Sequence, residues 1–393
     1  MAPLEKHHVI QACLAAGACA ARVSPTSPPA QDLEAHASWL QNYSGHAQPS
    51  IPGLSFLFEH LSLKSDVRHL WPQAQSVVCV AVAFDCLPEG EFHRHKAFSE
   101  IRSQEEPRKL EGHISSYAQW ADYHLLMRHL LDGVGRLIKT RTHGQVDFRV
   151  CVDTDPLLEK GLARGCGLGW IGRNSCLIVP HVGSRVVLGE LLLDHRLPPD
   201  EPLEGDPCEG CRVCQDACPT RALEEAYTLD AARCLAYLTI EHPGDLPQSY
   251  AAALENRLFG CDTCVAVCPH NASPLPKTTP TLASLSKKEK ASPASAPTLP
   301  SKTPFSTGPW VSLKEVSSWG SRQTTRKLKG TALSRLSPSL LRRNLCHVLA
   351  NLKTPETRDL LAKFRDSPSA RVRSAALQEI GRASCRERVC VGV

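Results

Sequence analysis

No run of apolar residues in this 393-residue chain approaches the length of a membrane-spanning helix. That argues against a helical anchor, and no membrane partner is expected. The opening segment, Lys6-His7-His8 followed by VIQACLAAGACAA, contains no twin-arginine pair. Its apolar residues fit the first amphipathic helix of a folded domain better than an export signal, so a cytoplasmic location is expected. Strong charge of either sign is also lacking. Lys and Arg number 45 against 40 Asp and Glu, a net charge of +5 that only weakly points to an anionic partner. No Gly-x-Gly-x-x-Gly follows a strand and opens a helix, which leaves a dinucleotide-binding reading poorly supported.

Cysteine, by contrast, is abundant: 18 residues. A disulfide framework suits small secreted chains, whereas here eight cysteines crowd between Cys208 and Cys268, which favours metal ligation. Cys208, Cys211, Cys214 and Cys218-Pro219 read C-x2-C-x2-C-x3-C-P. Cys261, Cys264 and Cys268-Pro269 form a second group, preceded by a lone Cys234. A turn can supply three thiolates to a cubane, and the cysteine before Pro crosses to the other cluster. One 4Fe–4S cluster would then take Cys208, Cys211, Cys214 and Cys268, the other Cys218, Cys234, Cys261 and Cys264. A pair of zinc sites is the competing reading.

Ahead of this module, SVVCVAVAF (76–84), FRVCVD (148–153), SCLIVP (175–180) and VVLGELLL (186–193) read as buried strands. Residues 117–138 repeat apolar side chains at helical spacing. The fold class is therefore α+β. The chain divides into a mixed α/β domain over 1–200, a ferredoxin-like module over 201–270 and a low-complexity linker over 271–309. A basic helical region over 310–380 follows. In that last region LLRRNLCHVLANL (340–352) and ETRDLLAKF (356–364) look like an antiparallel HEAT-like pair. The closing EIGRASCRERVCVGV (379–393) resembles a translated sequencing adapter. Residues 381–393 are set aside as an artefact, Cys385 and Cys390 with them.

The segment CVDTDPLLEKGLARGCGLGWIGRNSCLIVPHVGSRVVLGELLLD (151–194) resembles the epoxyqueuosine reductase family, as do YTLDAARCLAYLTIEHPGDLP (227–247), GCDTCVAVCP (260–269), YAQWADYH (117–124) and LWPQAQSVVCVAV (70–82). The resemblance implies a nitroreductase-like front domain holding base-off cobalamin against the ferredoxin-like module. It implies reduction of the epoxide of epoxyqueuosine, at the wobble position of a tRNA, to queuosine. An unidentified reducing donor would supply electrons, and a monomer is expected. Asp153 matches the family's proposed acid, which protonates the alkoxide left by ring opening. Its apolar strand is expected to raise its pKa and keep it protonated. Gly167, Leu168, Gly169 and Trp170 are the candidate cobalamin contacts. Arg342 and Arg343 are the candidate tRNA contacts. His124 is expected to be an ordinary core or surface histidine on an amphipathic helix. Ser115 and Ser116 replace basic residues usual in the family, Arg173 stands where Lys is common, and 43–60 align poorly. A corrinoid reductive dehalogenase and a non-catalytic electron carrier or cobalamin-handling protein are the alternatives.

Overall fold

The computed structural model describes residues 4–42, 51–59, 61–84, 110–271, 275, 278–288 and 310–389, without the side chains of 286–288 and 383–389. Part of the poorly aligning stretch 43–60, most of the linker and the last four residues of the closing segment lie outside these.

The strands are β1 (Ala20–Ser24), β2 (Ser76–Ala83), β3 (Glu111–Ile114), β4 (Phe148–Cys151), β5 (Trp170–Ile171), β6 (Leu177–Ile178), β7 (Val186–Leu193), β8 (Arg257–Phe259) and β9 (Trp310–Ser312). The helices that position the site are α1 (Lys6–Ala16), α2 (Tyr123–Arg141), α3 (Glu159–Gly165), α4 (Ser321–Leu328), α5 (Pro338–Leu352), α6 (Pro355–Ala362) and α7 (Ala370–Val389). A four-stranded antiparallel sheet of order β1-β2-β7-β4 forms the front lobe. β2 reads as an unbroken apolar run because both of its faces are covered. Val78, Val80 and Val82 join the core that holds Val9 of α1 and Leu126, Met127 and Leu131 of α2. Val77, Cys79, Ala81 and Ala83 join the core that holds Leu162 and Ala163 of α3. Burying one such aliphatic side chain contributes about 1.5–3 kcal/mol.

The helix expected over 117–138 begins later. Asp122 accepts the His124 N–H at 3.1 Å and caps α2, so the helix starts at Tyr123. His124 therefore stands in its first turn, at the end of the helix rather than on its flank.

The basic tail does not stand apart. β3 pairs with β8 of the cysteine module and with β9, and Ile114, Leu258, Phe259 and Val311 share one core with Leu341, Leu345 and Leu349 of α5 and Val372 of α7. The expected linker is ordered over a short stretch. Leu282 and Leu285 are buried in the core beside α1, because the TLASL segment carries two leucines among its polar residues. Glu379, inside the stretch that resembles an adapter, is fully buried. It pairs with His347 at 2.8 Å and Arg382 at 2.5 Å, so the helix is part of the fold at that point. Among the described residues no helix is long and apolar enough to cross a membrane.

Candidate active site

Asp153 follows β4 with φ +50, a left-handed conformation that costs a non-glycine residue energy and that Asp tolerates better than most. Neither Asp153 nor Asp155 caps α3, whose N-cap is Leu158. Asp155 instead accepts the Val152 N–H at 3.0 Å and an Arg128 N–H at 2.9 Å, which closes the turn. The Asp153 N–H donates to Glu159 Oε1 at 2.7 Å. Its carboxylate meets His124 Nε2 at 2.8 Å, and the other ring nitrogen of His124 meets Asp122 Oδ1 at 2.7 Å. The imidazole is 19% exposed and stacks on Tyr123 at 4.0 Å between ring centroids.

The charge state differs from the one expected. Burial pulls the His124 imidazole down, but the hydrogen bonds and charges of Asp122 and Asp153 outweigh it and hold the group up at about 9. Burial raises the Asp153 carboxyl, yet the His124 hydrogen bond and charge, with Arg335 behind them, bring it below its ordinary value. The apolar strand therefore does not keep Asp153 protonated. At neutral pH the proton of the pair sits on His124, and His124 is not an ordinary core or surface residue. A neutral acid does lie close by. Glu159 is pushed up to about 7, first by burial and then by the Asp153 charge, and Glu190 is raised well above the usual carboxylate range by burial and by Glu159.

The cysteine module packs against this lobe through a specific seam. Asp262 accepts hydrogen bonds from Ser115 Oγ at 2.6 Å, Ser116 N at 2.7 Å and Ser116 Oγ at 2.8 Å. The two serines that replace basic residues thus anchor the loop carrying Cys261 and Cys264.

None of the eight cysteines of the array is in a disulfide, and they are drawn into two groups. Cys268 faces Cys208, Cys214 and Cys211, whereas Cys234 faces Cys261 and Cys218, with Cys264 beside Cys261 and Cys234. Among the described residues no three His, Cys, Asp or Glu side chains converge tightly enough for a single metal ion. Backbone and indole N–H groups already point at two of the array's sulfurs: Ala222 N lies 3.2 Å from Cys218 Sγ, and Trp170 Nε1 3.5 Å from Cys208 Sγ. Donors of this kind tune a cluster's potential.

Residues 207–271 match the family model of the 4Fe–4S double cluster binding domain, and residues 64–154 match that of epoxyqueuosine reductase QueG, DUF1730. The chain is related to the epoxyqueuosine reductases. Curated epoxyqueuosine reductases from Salmonella typhimurium and Escherichia coli are 37% and 35% identical over 240 and 246 residues, or 61% and 63% of this chain. The one from Xanthomonas campestris is 46% identical over 160 residues, 41% of this chain and 44% of its own length. The chain spans less than two thirds of the first two, 57% and 59%. Two solved structures share the fold. Epoxyqueuosine reductase with an epoxyqueuosine-modified tRNA-Tyr stem loop superposes with TM-score 0.73 at 23% identity, covering 96% of this chain and 90% of that one. The Streptococcus thermophilus epoxyqueuosine reductase superposes with TM-score 0.74 at 20% identity, covering 96% and 89%.

The residues assigned to the cofactor and to tRNA need correction. Gly167 has φ +69, and a Cβ there would lie 2.3 Å from the Glu201 carbonyl oxygen. One on Gly169 would lie 2.3 Å from that of Ile178. The chain's own backbone accounts for both glycines. Leu168 is 2% exposed in the core under α3. Of the four candidate cobalamin contacts only Trp170 presents a half-buried side chain, and it lies against Cys208 and Cys268 and at 4.9 Å from the His270 ring. Arg343 is fully buried and donates to the His242 and Gly244 carbonyls at 2.7 and 2.5 Å, so no phosphate reaches it. Arg342 is half-buried and donates to the Trp319 carbonyl at 2.6 Å and Ser321 Oγ at 3.1 Å. Exposed basic side chains of the tail include Arg322 and Arg326 of α4, with Lys329 and Arg335 just after it. Arg335 also binds Glu241 at 2.6 Å and contributes to the field at Asp153, so the basic surface runs up to the acid.

Sequence reading missed His124 as the partner of Asp153, and with it Glu159, Glu190, Asp262 and Arg335. The Asp122-Tyr123-His124 run was the available signal: an N-cap Asp two residues ahead of a His exposes that imidazole at the helix end.

Proposed function

We propose that this chain reduces the epoxide of epoxyqueuosine in tRNA to the alkene of queuosine. One observation carries the proposal. An Asp153–His124 pair holding one proton lies at a seam with a double-cluster module, which is what a reductive, proton-consuming reaction on a large substrate needs. The family models that match 64–154 and 207–271, one on either side of that seam, support it. Ring reduction takes two electrons and two protons: both C–O bonds break, the C=C π bond forms, and the oxygen leaves as water. Cys208, Cys211, Cys214 and Cys268 would hold one 4Fe–4S cluster and Cys218, Cys234, Cys261 and Cys264 the other, and these would supply single electrons drawn from an external low-potential donor.

Asp153 accepts the proton of His124 and delivers it to the developing alkoxide, and the neutral imidazole left behind takes up a proton from solvent, which reloads the pair for the second protonation that releases water. Cobalamin remains the cofactor that family resemblance implies, without contacts assigned at 167–170. The helices α5 and α6 are read as the HEAT-like pair of the family. They back α4, whose Arg322 and Arg326 present the tRNA.

Anaerobic reconstitution with iron, sulfide and cobalamin, followed by nucleoside analysis of an epoxyqueuosine-bearing tRNA, tests the proposal. Conversion to queuosine is expected, and intact epoxyqueuosine after reduction of the clusters overturns it. Charge reversal at Arg322 and Arg326 is expected to weaken tRNA binding and to lower the slope of log affinity against log salt by about one per lost phosphate contact. An unchanged slope removes α4 from the interface.

A further inference from the structure

Directly behind Asp153 a second pair of carboxyls is built into the sheet. Glu190 lies on β7 opposite Cys79 of β2 and Cys151 of β4, on the face covered by α3. It is 0% exposed, its carboxyl oxygens meet no backbone donor and no cationic side chain, and the group that shares a hydrogen bond with it is the Glu159 carboxyl. A charged carboxylate without a partner in such surroundings is strongly unfavourable, so the group holds its proton. Beside it is Glu159, the first residue of α3, whose Oε1 accepts the Asp153 N–H. This N–H belongs to the residue with the left-handed backbone, so Glu159 holds that conformation from the α3 side while Asp155 closes the turn around it.

We propose that Glu159 and Glu190 act as one positioning unit for Asp153: Glu159 fixes its strained backbone, and the buried Glu190 keeps the pair from carrying two negative charges beneath the acid. The proposal rests on the reading of Asp153 as the acid of epoxide reduction. Glu159 faces Asp153, Asp155 and Glu190; Glu190 faces Glu159, Asp155 and Cys166; Asp153 faces His124 and Arg335. Three acidic groups thus surround Glu159, with Arg128 and Arg149 paired to Asp155 beyond it, whereas Asp153 has His124 and Arg335 on its far side. The unit therefore sets how much negative charge lies behind Asp153, and so how firmly His124 keeps its proton.

Two substitutions separate positioning from mere packing. Glu159→Leu removes the acceptor and is expected to lower the turnover rate by about 10²-fold with little change in KM, the size of effect that misplacing a reacting group produces. Glu159→Gln keeps an oxygen for the Asp153 N–H and is expected to recover most of that loss. It should also remove any step near neutral pH from the rate profile, leaving the alkaline limb set by His124. Equal losses for Leu and Gln, or a wild-type pH profile in the Gln variant, overturn the positioning role. A readout independent of turnover tests Glu190: infrared difference spectra of the reconstituted protein should show a protonated carboxyl stretch at neutral pH that vanishes in Glu190→Gln. Its absence from the wild-type protein overturns the proposal even where epoxyqueuosine is converted. Its presence without conversion upholds the carboxyl pair and counts against the reaction instead.

Discussion

Asp153→Asn is expected to retain both iron–sulfur clusters and to lose turnover by about 10³-fold, within the range for removing a positioned acid. The amide fills nearly the same space, so the turn closed by Asp155 should persist. What it cannot do is take the His124 proton and hand it on. The substitution also removes one of the two anions that hold His124 at about 9, leaving Asp122. The imidazole of the variant should therefore titrate at lower pH, which NMR of the ring resonances would show. In the wild-type protein the sign is fixed by the same pair. The stabilisation that His124 gains from its two carboxylates is fully present below its unfolded value near 6.5 and is lost as pH rises through about 9. Turnover should fall over that upper window, and it should fall again in acid once Asp153, held below the usual carboxylate value, is protonated and the pair separates. Iron content, visible absorbance and nucleoside conversion measured on one preparation decide the matter. Wild-type conversion by the Asn variant refutes the role.

The parts of the site that were legible in the sequence are those whose chemistry is local. The cysteine spacing of 208–218 and 261–268 specifies the tight turns that present three thiolates, and β2 and β7 are apolar along their length because both faces are covered. Asp153 was legible as a polar residue ending such a strand. Its charge state was not. That depends on His124, 29 positions away, and on where α2 begins, and a single capping Asp moved that start from 117 to 123. The glycines of 165–172 were legible as close approaches, but what approaches them is the chain's own carbonyls, from Glu201 and Ile178, and no periodicity signals that. Glu190 stands in an apolar run where composition predicts a hydrophobic residue. Such an exception marks a site only when the group opposite is known.

Arg343 departs furthest from its sequence reading, and its replacement should have the largest effect on stability. Beside Arg342 on a basic helix it reads as part of a phosphate-binding surface. α5 is instead buried almost all round, with every residue from Arg343 to Leu349 inside. The guanidinium donates to carbonyls at Leu238, His242 and Gly244, just after Cys234 of the second cage, while Asn344 donates to the Thr239 and Leu258 carbonyls. Burial lowers the group to about 10, which still leaves it charged at neutral pH. Arg343→Ala strips several buried carbonyls of their donor and leaves a cavity. The expected cost is about 3–5 kcal/mol, the scale for removing one member of a buried polar network. For a protein of this size that corresponds to a fall in Tm of about 5 °C. Because the lost donors hold the 238–244 segment, iron retention at the Cys218, Cys234, Cys261 and Cys264 cage should fall as well. Arg342→Ala, which gives up one carbonyl and one hydroxyl partner at the half-buried start of α4, should cost about 1 kcal/mol or less. Thermal melts and iron analysis of the two variants separate the readings. Weaker tRNA binding with unchanged Tm and iron content in Arg343→Ala would return that residue to the surface role, and a collapse of both fixes it as the clasp between α5 and the second cage.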